Sequence, residues 1–290
     1  MKDEREEKVE EIIEGIVGLP TLPAVLVKLN DLMKDPNVSA KEVGQLISYD
    51  PSITAKILRI VNSSFYGFPN RITTITHAIV ILGFNTIRNI VFSSFVFDAF
   101  KGGGKVAYDR RDFWKHSIAC GSAAKVVASR TGERLLEEYF VRGLLHDIGK
   151  IILDQYLHDT FLEILGVVES KGVLFREAEI EVLGVDHSDL GYQLLKRWGL
   201  SAGLSESILY HHRPAEAEGE KLQPAAIIHV ADILSRAMLV GSGGDKRIPV
   251  VDETAWKSLN IPTNEFESLM SQTEGEIEKA RVFMDLVEAS

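Results

Sequence analysis

The residues best suited to chemistry in this chain are histidines and aspartates spread over its second half: His116, His146 followed directly by Asp147, His187, the pair His211-His212, and Asp232. Each lies where a helix can aim it inward. His116 shares a helical face with Phe113, Cys120, Ala123 and Val127, and a lone histidine there would be an ordinary hydrogen-bonded core residue. His146 and Asp147 close the apolar run from Tyr139 to Leu145, where a carboxylate is costly unless something positive compensates it. His187 opens a stretch continuing through Leu190, Leu194 and Leu195, and His211-His212 ends another that Pro214 terminates. Asp232 falls inside the apolar run from Ala225 to Leu234, where an unpaired carboxylate would be strongly destabilising or protonated. One metal ion, or two bridged by a carboxylate, accounts for all these placements together, because imidazoles and carboxylates suit iron, manganese, zinc or nickel. Asp147 is the natural bridging ligand.

The elements that must position these groups are helices. Apolar residues recur at three- and four-residue spacing almost throughout, and alternating runs joined by turn pairs are nearly absent, so the expected fold class is all-α. The first helix of the early part spans Ala24 to Met33. A second starts at Ser39, whose hydroxyl can cap free amides with Glu42 completing a capping box. A third follows Asp50-Pro51, with Asp50 as cap, Pro51 at the first helical position, and Ile53, Ile57, Ile60 and Val61 on one face. Two more run from Thr74 through Leu82 and from Asn85 through Phe97. Between the third helix and Thr74 the segment Asn62 to Pro69 carries turn residues and the aromatics Phe65, Tyr66 and Phe68, which are expected to pack near the lobe boundary rather than stand free. The triple glycine Gly102-Gly103-Gly104 interrupts the helical period and is the expected boundary between two lobes, 1–104 and 105–290. The acidic tail beyond Asn264 is expected to pack outside the second lobe.

The 290 residues are 45% apolar and 26% charged, enough for one large core or two smaller ones. A net charge of -10 repels phosphate backbones and anionic lipid, and no basic stripe with interleaved aromatics is present. Neither nucleic acid nor membrane is therefore an expected partner. The N-terminus MKDEREEKVEEIIEG puts charge first with no apolar stretch behind it, the reverse of a secretion signal, so the expected location is cytoplasmic. Cys120, the single cysteine, lies among small residues and reads as a buried structural thiol.

The order His116, His146-Asp147, Asp232 resembles the signature of HD-domain metal-dependent phosphohydrolases. Asp147-Ile148-Gly149-Lys150 extends it in the manner of the HD-GYP cyclic-di-GMP phosphodiesterases, and His187, His211 and His212 match that subfamily's second metal position. The segment Arg213 to Glu220, however, lacks the Gly-Tyr-Pro signature. The segments Leu19 to Pro23, Asp50 to Leu58, Val61 to Gly67 and His77 to Gly83 resemble the HDOD family closely, with coverage from about residue 16 to 240. That resemblance implies a two-lobed helical bundle, an N-terminal HDOD-type lobe plus an HD-like lobe, acting as a bacterial signal-transduction output or adaptor protein. Its implied partners are a signalling protein or a small nucleotide. The alternative function is metal-dependent phosphodiester hydrolysis on a small nucleotide or cyclic dinucleotide, with Asp147 and Lys150 as catalytic residues and Lys150 contacting a phosphate oxygen; otherwise Lys150 is an ordinary surface lysine.

Overall fold

The computed structural model describes residues 4–100 and 109–288, and among them are helices and short 3-10 turns but no strand. In chain order the helices are α1 (Glu4–Gly15), α2 (Ala24–Leu32), α3 (Ala40–Ser48), α4 (Pro51–Val61), α5 (Ile75–Ala99), α6 (Arg110–Arg130), α7 (Leu136–Leu145) and α8 (Ile148–Tyr156). They continue as α9 (His158–Lys171), α10 (Phe175–Leu183), α11 (His187–Arg197), α12 (Ala202–Leu209), α13 (Leu222–Ala237), α14 (Glu253–Leu259), α15 (Phe266–Lys279) and α16 (Arg281–Glu288). The chain is all-α.

Local signals account for the early helix starts. Ser39 accepts from the Glu42 amide while the Glu42 carboxylate accepts from the Ser39 amide, the expected capping box. Asp50 accepts from the amides of Ser52 and Ile53 with Pro51 at the first helical position, and Thr74 accepts from the His77 amide. The two helices expected over 74–97 form one span, α5, broken at Gly83, where φ is 82°. Among the described helices α5 alone is long and apolar enough to cross a membrane; it nevertheless breaks at Gly83 and buries Ile79, Ile87 and Ile90.

The described residues divide into a larger unit, within 1–19 and 102–274, and a smaller one, within 20–101 and 275–290. Gly102 to Gly104, the expected boundary, lie outside the described residues. The chain ends differ from expectation. α1 belongs to the larger unit, burying Val9 and Ile13 and sending Arg5 onto Asp186 and Asp189. α16 belongs to the smaller unit, where it packs on α4 and α5 and sets the Phe283 ring against Phe65 and Phe97. An apolar face is satisfied wherever it finds a matching face, and sequence neighbourhood does not choose which. Of the loop aromatics, Phe65 is buried, while Tyr66 and Phe68 are half-buried and stacked on each other.

In the larger unit α6 packs along α7 and α13. Cys120, Ala123, Ala124 and Val127 of α6 meet Ile227, Ala231 and Leu234 of α13 in one apolar cluster that Ala255, Leu259 and Leu269 extend. Cys120 is a free buried thiol within it, and burial pushes its pKa up. The small side chains let α6 and α13 approach closely, and that approach brings His116 and Asp232 together.

Candidate metal centre

Five chain segments deliver the site, each by a local device. His116 sits about two turns into α6. His146 is the C-cap of α7 and Asp147 the N-cap of α8, so the α7–α8 corner points two adjacent side chains at one space. His187 is the first residue of α11, directly after Asp186, whose carboxylate caps that helix through the amides of Ser188 and Asp189. Side-chain room at Gly149 lets the α11 start come close, since a Cβ there would collide with the His187 carbonyl. His211 and His212 follow α12, and Asp232 lies in mid-α13.

The donor atoms fall into two groups, Asp147 with His187, His211 and His212, and His116 with His146 and Asp232, within each of which they lie inside 4.8 Å of one another. Asp147 reaches both. Its Oδ1 is 2.9 Å from His187 Nε2, and its Oδ2 is 3.3 Å from His146 Nε2 and 3.5 Å from His116 Nε2. Asp232 Oδ1 is 3.1 Å from His116 Nε2 and 3.6 Å from His146 Nε2. His212 Nε2 lies 2.8 Å from His187 Nε2. All seven residues singled out from sequence as metal candidates thus converge, six of them buried and His212 half-buried.

The hydrogen bonds on the far sides of the rings decide which nitrogens face the centre. His146 Nδ1 donates to the Gly143 carbonyl at 2.7 Å and His211 Nδ1 to the Ile208 carbonyl at 2.6 Å, so in each neutral ring the inward Nε2 carries a lone pair. His187 Nδ1 donates to Glu179 Oε2 at 2.6 Å with the same result. Three inward atoms of these rings and of His116 have no hydrogen-bond partner, namely Nε2 of His116, His146 and His211, and neither does Asp147 Oδ1. Buried acceptors pointing at one another without a donor are unfavourable, and a divalent cation is what this donor set fits. His116, His146 and Asp232 would hold one ion; His187, His211 and His212 would hold another, with Asp147 shared.

The electrostatics follow from the same geometry. Burial opposes ionisation of Asp147, but His146, Lys150 and His187 outweigh it and hold its pKa well below the usual carboxylate range. Burial likewise opposes ionisation of Asp232, and Arg236 above all reverses the effect. Burial, then the neighbouring imidazoles, push His211 and His212 well below the ordinary histidine value, which keeps them neutral as ligation requires. His146 and His187 are drawn upward against burial, chiefly by Asp147 and Glu179 respectively.

Lys150 is 2% exposed and so is no surface lysine: its Nζ donates to Asp147 Oδ2 at 2.7 Å and to the Gly243 carbonyl at 2.7 Å. Several participants were not anticipated from sequence. Glu179 orients His187 from α10; its one signal was its place on the face carrying Phe175 and Ala178. Arg236 donates to Asp232 Oδ1 at 3.0 Å, legible as an i, i+4 pair. The network in which Arg5, Arg176 and Arg213 bind Asp186 left no sequence signal.

A model of the HDOD domain matches residues 19–214. The chain belongs to the HDOD family. Among solved structures, this HDOD protein is similar to an HDOD domain protein with unknown function from Geobacter sulfurreducens, with a TM-score of 0.80 and 26% identity over 98% of both chains. It is also similar to a "Putative phosphohydrolase" from Shewanella amazonensis, with a TM-score of 0.67 and 26% identity over 97% of this chain and 96% of that one. A curated relative, an uncharacterized protein of Treponema pallidum, is 24% identical over 214 residues, which are 72% of this chain and 40% of that protein. The HDOD match ends before α13, so Asp232 and Arg236 lie beyond it.

Proposed function

We propose that this HDOD protein is a bacterial signal-transduction output or adaptor protein whose larger unit is organised around a buried His/Asp centre for one or two divalent ions, iron, manganese, zinc or nickel. The observation that carries this reading is the position of Asp147, which faces both donor groups and keeps Oδ1 without a hydrogen-bond partner while Oδ2 takes Lys150. In this reading the metal holds α6, α8, α11 and α13 in one arrangement, and a signalling partner or small nucleotide reads that arrangement. Metal analysis of protein purified without chelator, beside Asp147→Asn, tests it. A stoichiometric ion in the native protein that is lost in the variant is expected; an empty native protein after growth and reconstitution with all four metals rejects the metal centre.

The shared Asp147 and the adjacent Lys150 also favour a second reading, hydrolysis of a phosphodiester in a small nucleotide. A bound ion would supply Lewis-acid polarisation of a phosphoryl oxygen. Against turnover stand the burial of six of the seven donors and the commitment of the Lys150 ammonium to two protein oxygens. Where a Gly-Tyr-Pro loop would lie, Pro214–Glu216 and Gly219–Lys221 form short 3-10 turns. Cyclic-di-GMP is therefore expected to stay intact with added manganese or iron. Turnover abolished by Asp147→Ala would promote the enzyme reading.

A further inference from the structure

The segment 239–247, between α13 and α14, crosses the Lys150 side of the centre in a manner that connecting two helices does not require. Ser242 donates its amide to the Asp112 carbonyl at 3.0 Å, and Gly241 lies so close to α6 that a Cβ would strike the Asp112 carbonyl and the His116 amide. Gly243 is buried and its carbonyl accepts from Lys150 Nζ. Gly244, at φ +99°, rests on the Phe175 ring, where a Cβ would come within 2.7 Å of the ring carbons. Asp245 then accepts from Arg236 at 3.0 Å and from the Phe175 amide at 3.0 Å. The segment therefore touches both cations that neutralise the site's carboxylates, Lys150 on Asp147 and Arg236 on Asp232. It begins at Leu239, an exposed non-glycine residue in the left-handed region at φ 56°, a conformation that persists only when its surroundings enforce it.

We infer that residues 239–247 are a built-in strap in which the Gly243 carbonyl takes the place beside Lys150 of an oxygen from a phosphate-type anion, so that such an anion binds only when the strap lifts. The ammonium needs an acceptor in a site closed to water, and a peptide carbonyl supplies one without adding charge. An incoming phosphate oxygen would satisfy the same donor more strongly, because both partners would then be charged. Latching at Asp245 and Gly244 keeps the competitor in place.

The inference rests on the centre proposed above, but the strap's contacts need no metal, so its test is run on both chelated and metal-loaded full-length protein. The probe is inorganic phosphate, with affinity read by calorimetry and strap opening by amide hydrogen exchange over 240–247. Asp245→Ala removes one latch and Gly244→Ala the other. Each should speed exchange of the strap amides and tighten phosphate binding about tenfold or more, as removal of a dominant closed state does. Lys150→Met in the Asp245→Ala background should abolish the gain. In the unaltered protein, saturating phosphate should accelerate exchange of the same amides. The inference is overturned if the variants open the strap without a change in phosphate affinity, or if phosphate binds the native protein through Lys150 while the strap amides stay protected. An absence of metal in these preparations would count against the proposed centre and leave the strap comparison intact.

Discussion

The two units bury different kinds of residue. Among its described residues the smaller one buries Leu26, Leu29, Val43, Ile47, Ile57, Ile60, Val61 and Phe65, and its buried polar groups are only Asn89, Ser93 and Ser94. The larger unit buries the seven candidate ligands except half-buried His212, and with them Lys150, Asp154, Glu179, Asp186 and Asp189. Desolvating such a set costs stability that apolar residues of similar volume would not, so the larger unit carries groups that folding alone does not ask for. The smaller unit starts α3, α4 and α5 at side-chain caps and, among its described residues, buries no charged group.

That contrast can be broken by experiment. Phe283→Ala empties a site in the smaller unit's core between Phe65 and Phe97 and should lower stability by about 3–5 kcal/mol in denaturant melts. Metal content should not change; a joint loss of metal would show that the two kinds of core are not separable. Chelation should act on the other unit, removing about 4 kcal/mol if the native protein was saturated a thousandfold above its Kd. Hydrogen exchange should then rise in α6, α8, α11 and α13 and stay level in α3 and α4. Asp147→Asn should make melting insensitive to chelator, whereas an unchanged native melting temperature in a verified metal-loaded sample would remove the metal from the stability account.

Two smaller effects sharpen the comparison. Glu179→Gln keeps the shape of the group that orients His187 but removes its charge, and metal affinity should fall about 10- to 100-fold by competition titration. An unaltered affinity would mean that Glu179 serves packing alone. Ser39→Ala deletes the capping box of α3 at a cost of about 1 kcal/mol. It should leave metal affinity untouched, the expected signature of a purely local change.

What the sequence determined by itself was whatever rests on near neighbours. The caps at Ser39 and Asp50, the helical period, and the inward placement of His116, His146-Asp147 and Asp232 all follow from contacts within a few residues, where side-chain spacing and helix geometry leave few choices. Tertiary structure alone decided which of those inward groups meet and what compensates them. Glu179 reaches His187 from another helix, Gly243 meets Lys150 across 93 positions, and Arg5 reaches Asp189 across 184. It also sent α1 to the larger unit and α16 to the smaller one. A buried charge takes whichever opposite charge or dipole the fold brings within reach, and an apolar face takes whichever face fits it; neither choice is written in the spacing of a single segment.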